Sequence, residues 1–186
     1  MRFIIGIGNP GKKYDGTRHN AGFEIVDGLA GKYGLRWKEL KKLGAAAAQS
    51  DRVMLVKPFT FVNLTGETAN ALLKEYHPKP EEILLVCDDV NLDFGKLRLR
   101  SSGSAGGHHG LESVIAEIQS EDFPRLRFGV RNADMPHDLN SFVLEKFGKD
   151  EQRSKGELLA KAVSICESWI EEGFEAAQKR LSQLQG

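Results

Sequence analysis

The chain has 186 residues, 40% of them hydrophobic, and no long Pro, Ser or Gln tract, which fits one globular domain over 1–186 whose core needs no staples. Lys and Arg number 26 and Asp and Glu number 26, a balance that argues against a general nucleic-acid coat protein. The charge is uneven, because residues 1–60 carry 11 Lys/Arg against 5 Asp/Glu, which permits a basic face beside an acidic remainder.

Arg2 to Ile7 reads as a strand, rich in Ile and Phe and ended by the turn residues Gly8-Asn9-Pro10-Gly11. This apolar run is too short for a signal core of about 7 residues or a membrane span of about 20, so a cytoplasmic protein is expected. Helical spacing of Phe23, Ile25, Val26, Leu29 and Ala30 predicts a helix over 22–33. Ala45–Ala48 and Arg52–Lys57 read as a hairpin pair, and Gly66–Tyr76 as a helix closed by Pro78 and Pro80. Ile83–Cys87 is a continuous apolar run of the kind found in a central, doubly covered strand, with Asp88 at its end.

Lys96–Arg100 alternates charged and apolar residues, a half-buried strand with one cationic face. A glycine-rich loop over 101–110, a helix over 111–119 and a strand over 126–130 follow, and a long amphipathic helix runs from about 150 to 184 with a break near Gly173. Strands alternating with helices predict an α/β fold with a twisted, mixed but mostly parallel sheet flanked by helices. Cys87 and Cys166 lack metal or CxxC spacing and read as buried thiols in a reducing compartment.

Gly6-Ile7-Gly8-Asn9-Pro10-Gly11 matches the dinucleotide-binding pattern literally, but Lys12-Lys13-Tyr14-Asp15-Gly16 does not continue as a helix and no acidic residue ends a second strand about 20 residues on. Asp88, Asp89 and Asp93 with His108 and His109 do not have metal-site spacing, so no metal is expected. Four polar segments instead fall on the expected carboxyl rim of the sheet, where open α/β folds form their ligand crevice: Asn9, the Thr17-Arg18-His19-Asn20 run, Asn63 and Asp88. A carboxylate partly desolvated at a strand end would hold one tautomer of His19 and make it a better base. Several amides with a His and an Asp, and no nucleophile elbow, favour hydrolysis by water. Arg98 and Arg100, with Arg125, Arg127 and Arg131 beside them, would clamp phosphates if they project over the crevice.

Together GIGNPGKKYDGTRHNAG, KPFTFVNLTG, DDVNLDFGKLRLR, GSAGGHHGLES and FPRLRFGV resemble bacterial-type peptidyl-tRNA hydrolase, in the same order and over nearly the whole chain. The resemblance implies a monomeric mixed-sheet enzyme, with no metal or organic cofactor, that cleaves the ester between a peptide and the terminal ribose of tRNA. It implies that His19 activates water, Asp88 supports it, and Asn9 and Asn63 position the peptide and its ester carbonyl, with Asn63 steadying the oxyanion. It further implies that Tyr14, Asn20, Phe61, Gly107 and His109 line the substrate site and that Arg98, Arg100 and Arg127 contact phosphates. Val62 stands where the family usually has Met, Thr65 where it has Ser, and His109 where it has an amide. Imidazole cannot present an amide's donor and acceptor together. A non-catalytic RNA-binding paralogue of the same fold is the alternative reading.

Overall fold

The computed structural model describes residues 1–185. Its strands are β1 (Arg2–Gly6), β2 (Lys38–Leu40), β3 (Ala45–Gln49), β4 (Val53–Pro58), β5 (Ile83–Asp93), β6 (Leu97–Arg100) and β7 (Arg125–Arg131). They form one sheet in the order β2-β3-β4-β1-β5-β7-β6. The central strands β4, β1, β5 and β7 are parallel, and antiparallel pairs close both ends, so the mixed sheet expected from the sequence is found.

The helices are α1 (Ala21–Lys32), α2 (Thr65–Tyr76), α3 (His109–Ile118), α4 (Leu139–Leu144), α5 (Lys149–Glu172) and α6 (Phe174–Gln185). Alternation along β1 divides the core. Ile4 faces one cluster with Leu29 of α1 and Trp169 of α5, while Phe3 and Ile5 face another with Leu72 of α2 and Leu111 of α3. Both faces of the central strands are therefore covered, which is why β5 reads as an apolar run. The long C-terminal helix breaks where expected, at Gly173, whose φ of 102° no other residue adopts readily.

Three features depart from the sequence reading. First, β5 does not stop at Cys87: Asp88 and Asp89 remain in the strand, paired with Phe128 and Gly129 of β7. Two consecutive carboxylates look like loop, but partners supplied from distant segments let them stay buried in the ladder. Second, the short edge strand β2 pairs with β3 through Lys38, Glu39 and Leu40, too few residues to produce a readable alternation. Third, α4 has six residues and is fixed by tertiary contacts and by the Asp138 carboxylate, which accepts from the Asn140 and Ser141 amides at its start.

The carboxyl end of β1 and the interior of β5 meet the start of α1 at very short range. A Cβ on Gly22 would lie 2.3 Å from the Val86 carbonyl oxygen and 2.5 Å from that of Ile7. Alanine in a helix is ordinarily favourable over glycine by about 1 kcal/mol, so the packing decides the sign. Gly22→Ala is expected to lower stability by roughly 1–3 kcal/mol, as overpacking does, read as a fall in the urea midpoint. An unchanged or higher midpoint would show that α1 is not seated this closely.

Candidate active site

The three-residue turn Arg18–Asn20, immediately before α1, carries His19 to Asp88 in the middle of β5. His19 Nδ1 lies 2.8 Å from Asp88 Oδ1, joining groups 69 positions apart. The same oxygen lies 3.0 Å from His108 Nε2. His108 caps α3, its Nδ1 accepting from the Gly110 and Leu111 amides at 3.1 and 3.4 Å. Those amides can only donate, so the proton of His108 sits on Nε2 and is given to Asp88. Asp88 accepts from both rings, and His19 with its proton on Nδ1 turns the Nε2 lone pair to the cleft.

Asp88 is 1% exposed. Burial favours its protonation, but attraction to His19 and His108 and their hydrogen bonds prevail and hold the carboxyl far below its usual range. Burial likewise opposes a charged His19, and the Asp88 charge and hydrogen bond outweigh it, raising the imidazole above its ordinary 6.5. His108 is the member of this cluster that the sequence reading misses: it places His109 at the substrate site but considers His108 only as a metal ligand. Its signal was present in the strand–glycine loop–helix context, where a side chain just before a helix is a natural cap.

The ligand atoms of His19, Asp88 and His108 lie within 4.8 Å of one another. They do not suit a metal as they stand. Coordination through His108 Nε2 would move its proton to Nδ1, directly against two backbone N–H donors.

Around this triad the other expected residues separate into those facing the cleft and those supporting it. Asn9 Oδ1 accepts from the Val62 amide at 2.9 Å, which leaves the Asn9 NH2 to donate. Asn20 is buried behind the cleft lining: its Oδ1 accepts from Asn9 N at 2.8 Å and its Nδ2 donates to Asn9 O at 3.0 Å, so it holds Asn9 in place. Asn63 is exposed and its side chain makes no hydrogen bond among the described residues. Asn9, His19, Asn63 and His109 line an open cleft of about 170 Å³, walled by Val143 and Leu144 at the α4 end.

A second cavity, about 60 Å³, lies behind it, lined by His19, Asp88, His108, Gly107 and His109. That is room for about two waters. His109 is exposed at the mouth of both spaces, its Nδ1 2.9 Å from Glu112. Tyr14 and the 48% exposed Phe61 meet edge to face at 6.1 Å between centroids. A larger depression, about 460 Å³ along β2, contains no histidine and lies away from this chemistry.

Next to the small cavity, a groove of about 290 Å³ takes its floor from β6 and β7. Arg98 opposes Arg127 and Arg100 opposes Arg125 in the antiparallel ladder. Arg98 and Arg100 are exposed in the groove, but Arg127 is buried and already bonded to Asp89 Oδ2 at 3.3 Å and the Ser104 carbonyl at 2.7 Å. Arg125 is 1% exposed and held by the backbone carbonyls of Gly103, Ser104, Glu121 and Phe123. Arg131 pairs with Asp93 at the far end of β7, outside the groove.

With this geometry in view, comparison with known proteins is decisive. The family profile described as peptidyl-tRNA hydrolase matches residues 3–185. The chain belongs to the peptidyl-tRNA hydrolase family. It is 42% identical over 183 residues to the peptidyl-tRNA hydrolase of Alkaliphilus metalliredigens, covering 97% of this chain and 98% of that one. It is 40% identical to that of Desulforudis audaxviator, over 98% of this chain and 93% of its relative. The crystal structure of the peptidyl-tRNA hydrolase from Acinetobacter baumannii superposes with a TM-score of 0.90 at 31% identity, covering 97% of this chain and 94% of that one. The fold expected from the resemblance is thus the fold found.

Asn20 offers a direct test of the support around the peptidyl-tRNA hydrolase cleft. Asn20→Ala leaves the Asn9 N–H and carbonyl buried without partners, a loss of about 1–3 kcal/mol per unsatisfied group. Melting temperature and kcat/KM should fall together. Full activity with a lowered melting point would show that Asn9 needs no such support.

Proposed function

We propose that this protein hydrolyses the ester joining a peptide, or N-blocked amino acid, to the terminal ribose of tRNA, with His19 as general base. The observation that carries this reading is the 2.8 Å contact of His19 Nδ1 with buried Asp88, which leaves Nε2 unprotonated toward the cleft. His19 takes a proton from water as the water oxygen attacks the ester carbonyl carbon. Negative charge then develops on the carbonyl oxygen, where the unpartnered Asn63 amide can donate; one well-aimed donor of this kind contributes about 10²–10³-fold. As the tetrahedral intermediate collapses, the C–O ester bond breaks and the proton on His19 passes to the departing ribose oxygen. The peptide leaves as a carboxylic acid that gives its proton to solvent and ionises.

The NH2 of Asn9, oriented by Val62, is suited to a carbonyl of the peptide chain and so to a blocked amino end. Tyr14 and Phe61 give a face on which a terminal base can rest. The exposed Arg98 and Arg100, each opposite a further arginine in the ladder, favour an anion, because like charges directly opposed are destabilising. Within the α/β rim all these groups come from one chain, so a monomer suffices. Two buried thiols, raised by burial and hence unreactive, suit a reducing cytoplasm.

His19→Ala should reduce release of N-acetylated amino acid from tRNA by about 10²–10⁴-fold, the span of positioned proton transfer, with the fold intact by circular dichroism. Near-normal turnover would overturn the base assignment. In the wild type kcat/KM should rise with pH, because the base works deprotonated, with its midpoint above the ordinary 6.5 of imidazole. Stability runs the other way. His19 stabilises the fold fully below its unfolded pKa, and this is lost as pH rises through the higher folded one. Asp88 stabilises the fold above the unfolded carboxyl value and loses that contribution only in strong acid. Asp88→Asn should lower both the midpoint and the plateau of the activity profile.

Arg98→Ala and Arg100→Ala should each weaken tRNA binding to a similar degree for different tRNAs. Each should flatten the plot of log affinity against log salt by about 0.7–0.9, one phosphate contact. An unchanged slope would make that strand face ordinary surface.

A further inference from the structure

The arginine groove and the small catalytic cavity share a wall, and Asp89 stands in it, lining both. It is 4% exposed and both its oxygens are engaged. Oδ1 accepts from the Asn91 amide at 2.8 Å and Oδ2 pairs with Arg127 at 3.3 Å. Among the groove's lining residues it is the only carboxylate, against Arg98, Arg100, Arg125 and Arg127.

The glycine-rich loop above is held from below by its carbonyls. Arg127 donates to Ser104 O at 2.7 Å, Arg125 holds Gly103 O, and Asn91 Nδ2 donates to Gly106 O at 3.3 Å. Gly106, with φ of 60°, rests on Arg127 itself: a Cβ there would come within 2.9 Å of Nη1. The same loop then delivers His108 to Asp88, its amide bonded to Ala105 O at 3.2 Å.

We propose that Asp89 is a positioning residue: by holding Arg127 under the Ser104 carbonyl it fixes the loop that presents His108 and His109, and it competes with substrate phosphate for the same guanidinium. The proposal rests on the phosphate reading of the groove given above. Both oxygens of Asp89 are committed to Asn91 and Arg127, so it acts through Arg127. The consequence is an opposition between binding and turnover. Removing the Asp89 charge leaves Arg127 freer to meet a phosphate, which favours tRNA binding, and loosens the loop, which disfavours chemistry.

The experiment is hydrolysis of N-acetylated aminoacyl-tRNA by wild type, Asp89→Asn, Asp89→Glu and the double variant Asp89→Asn with Arg127→Gln, across a range of salt. For Asp89→Asn we expect kcat to fall about 10-fold, within the ~10²-fold cost of misplacing a site by an ångström. KM should fall as well, and the salt slope should steepen by up to about 0.7–0.9, one additional phosphate contact. Asp89→Glu should recover much of the wild-type behaviour, and the double variant should lose the steepening. A residue that only stabilised the fold would lower the melting point without steepening the slope, and an unchanged slope in Asp89→Asn overturns the proposal. Should Asp89→Asn not fold, Arg127→Gln decides alone: a kcat loss of similar size supports loop positioning, and an unchanged kcat overturns it. Absence of hydrolysis by the wild type would instead count against the activity itself.

Discussion

One buried charge organises this site. Asp88 lies within a central strand, covered on both sides, where an unpaired carboxylate would be strongly disfavoured. It is tolerated because two imidazole N–H groups converge on the same oxygen, one from the turn before α1 and one from the cap of α3. Breaking either contact would leave an under-compensated charge in the sheet. The requirement for compensation therefore fixes how two separate helices approach the middle of β5.

The direction of the hydrogen bonds gives that arrangement chemical meaning. The backbone amides of α3 set the proton of His108 on Nε2, and Asp88 draws the proton of His19 to Nδ1. What remains is a single imidazole lone pair, on His19, at the wall of the cleft. The same logic orients the amides. Val62 and Asn20 together fix Asn9 on three sides, whereas Asn63 has no internal partner and is available. The cleft thus carries a rigid donor, Asn9, beside an adaptable one, Asn63.

The arginine groove follows a second electrostatic constraint. Cross-strand arginines are placed where they repel, and only the two on β7 are restrained internally, by backbone carbonyls and one carboxylate. The two on β6 stay outward because Leu97 and Leu99 bury the other side of that strand. His109 is held by Glu112 at the cleft mouth and takes no part in the hydrogen bonds of the Asp88 cluster.

The sequence by itself determined the elements whose pattern is local. Alternation put Arg98 and Arg100 on the exposed face of β6, helical spacing marked α1, Pro78 and Pro80 closed α2, and Gly173 marked the break between α5 and α6. The ordered motifs determined the family. Only the tertiary structure decided which polar groups meet. It kept Asp88 and Asp89 inside β5, formed α4 and β2, gave His108 a partner, and turned Asn20 and Arg127 inward as supports. Periodicity over two to four residues is written in neighbouring side chains, whereas the compensation of a buried charge depends on groups dozens of positions away that only strand register and helix docking bring within 3 Å of it.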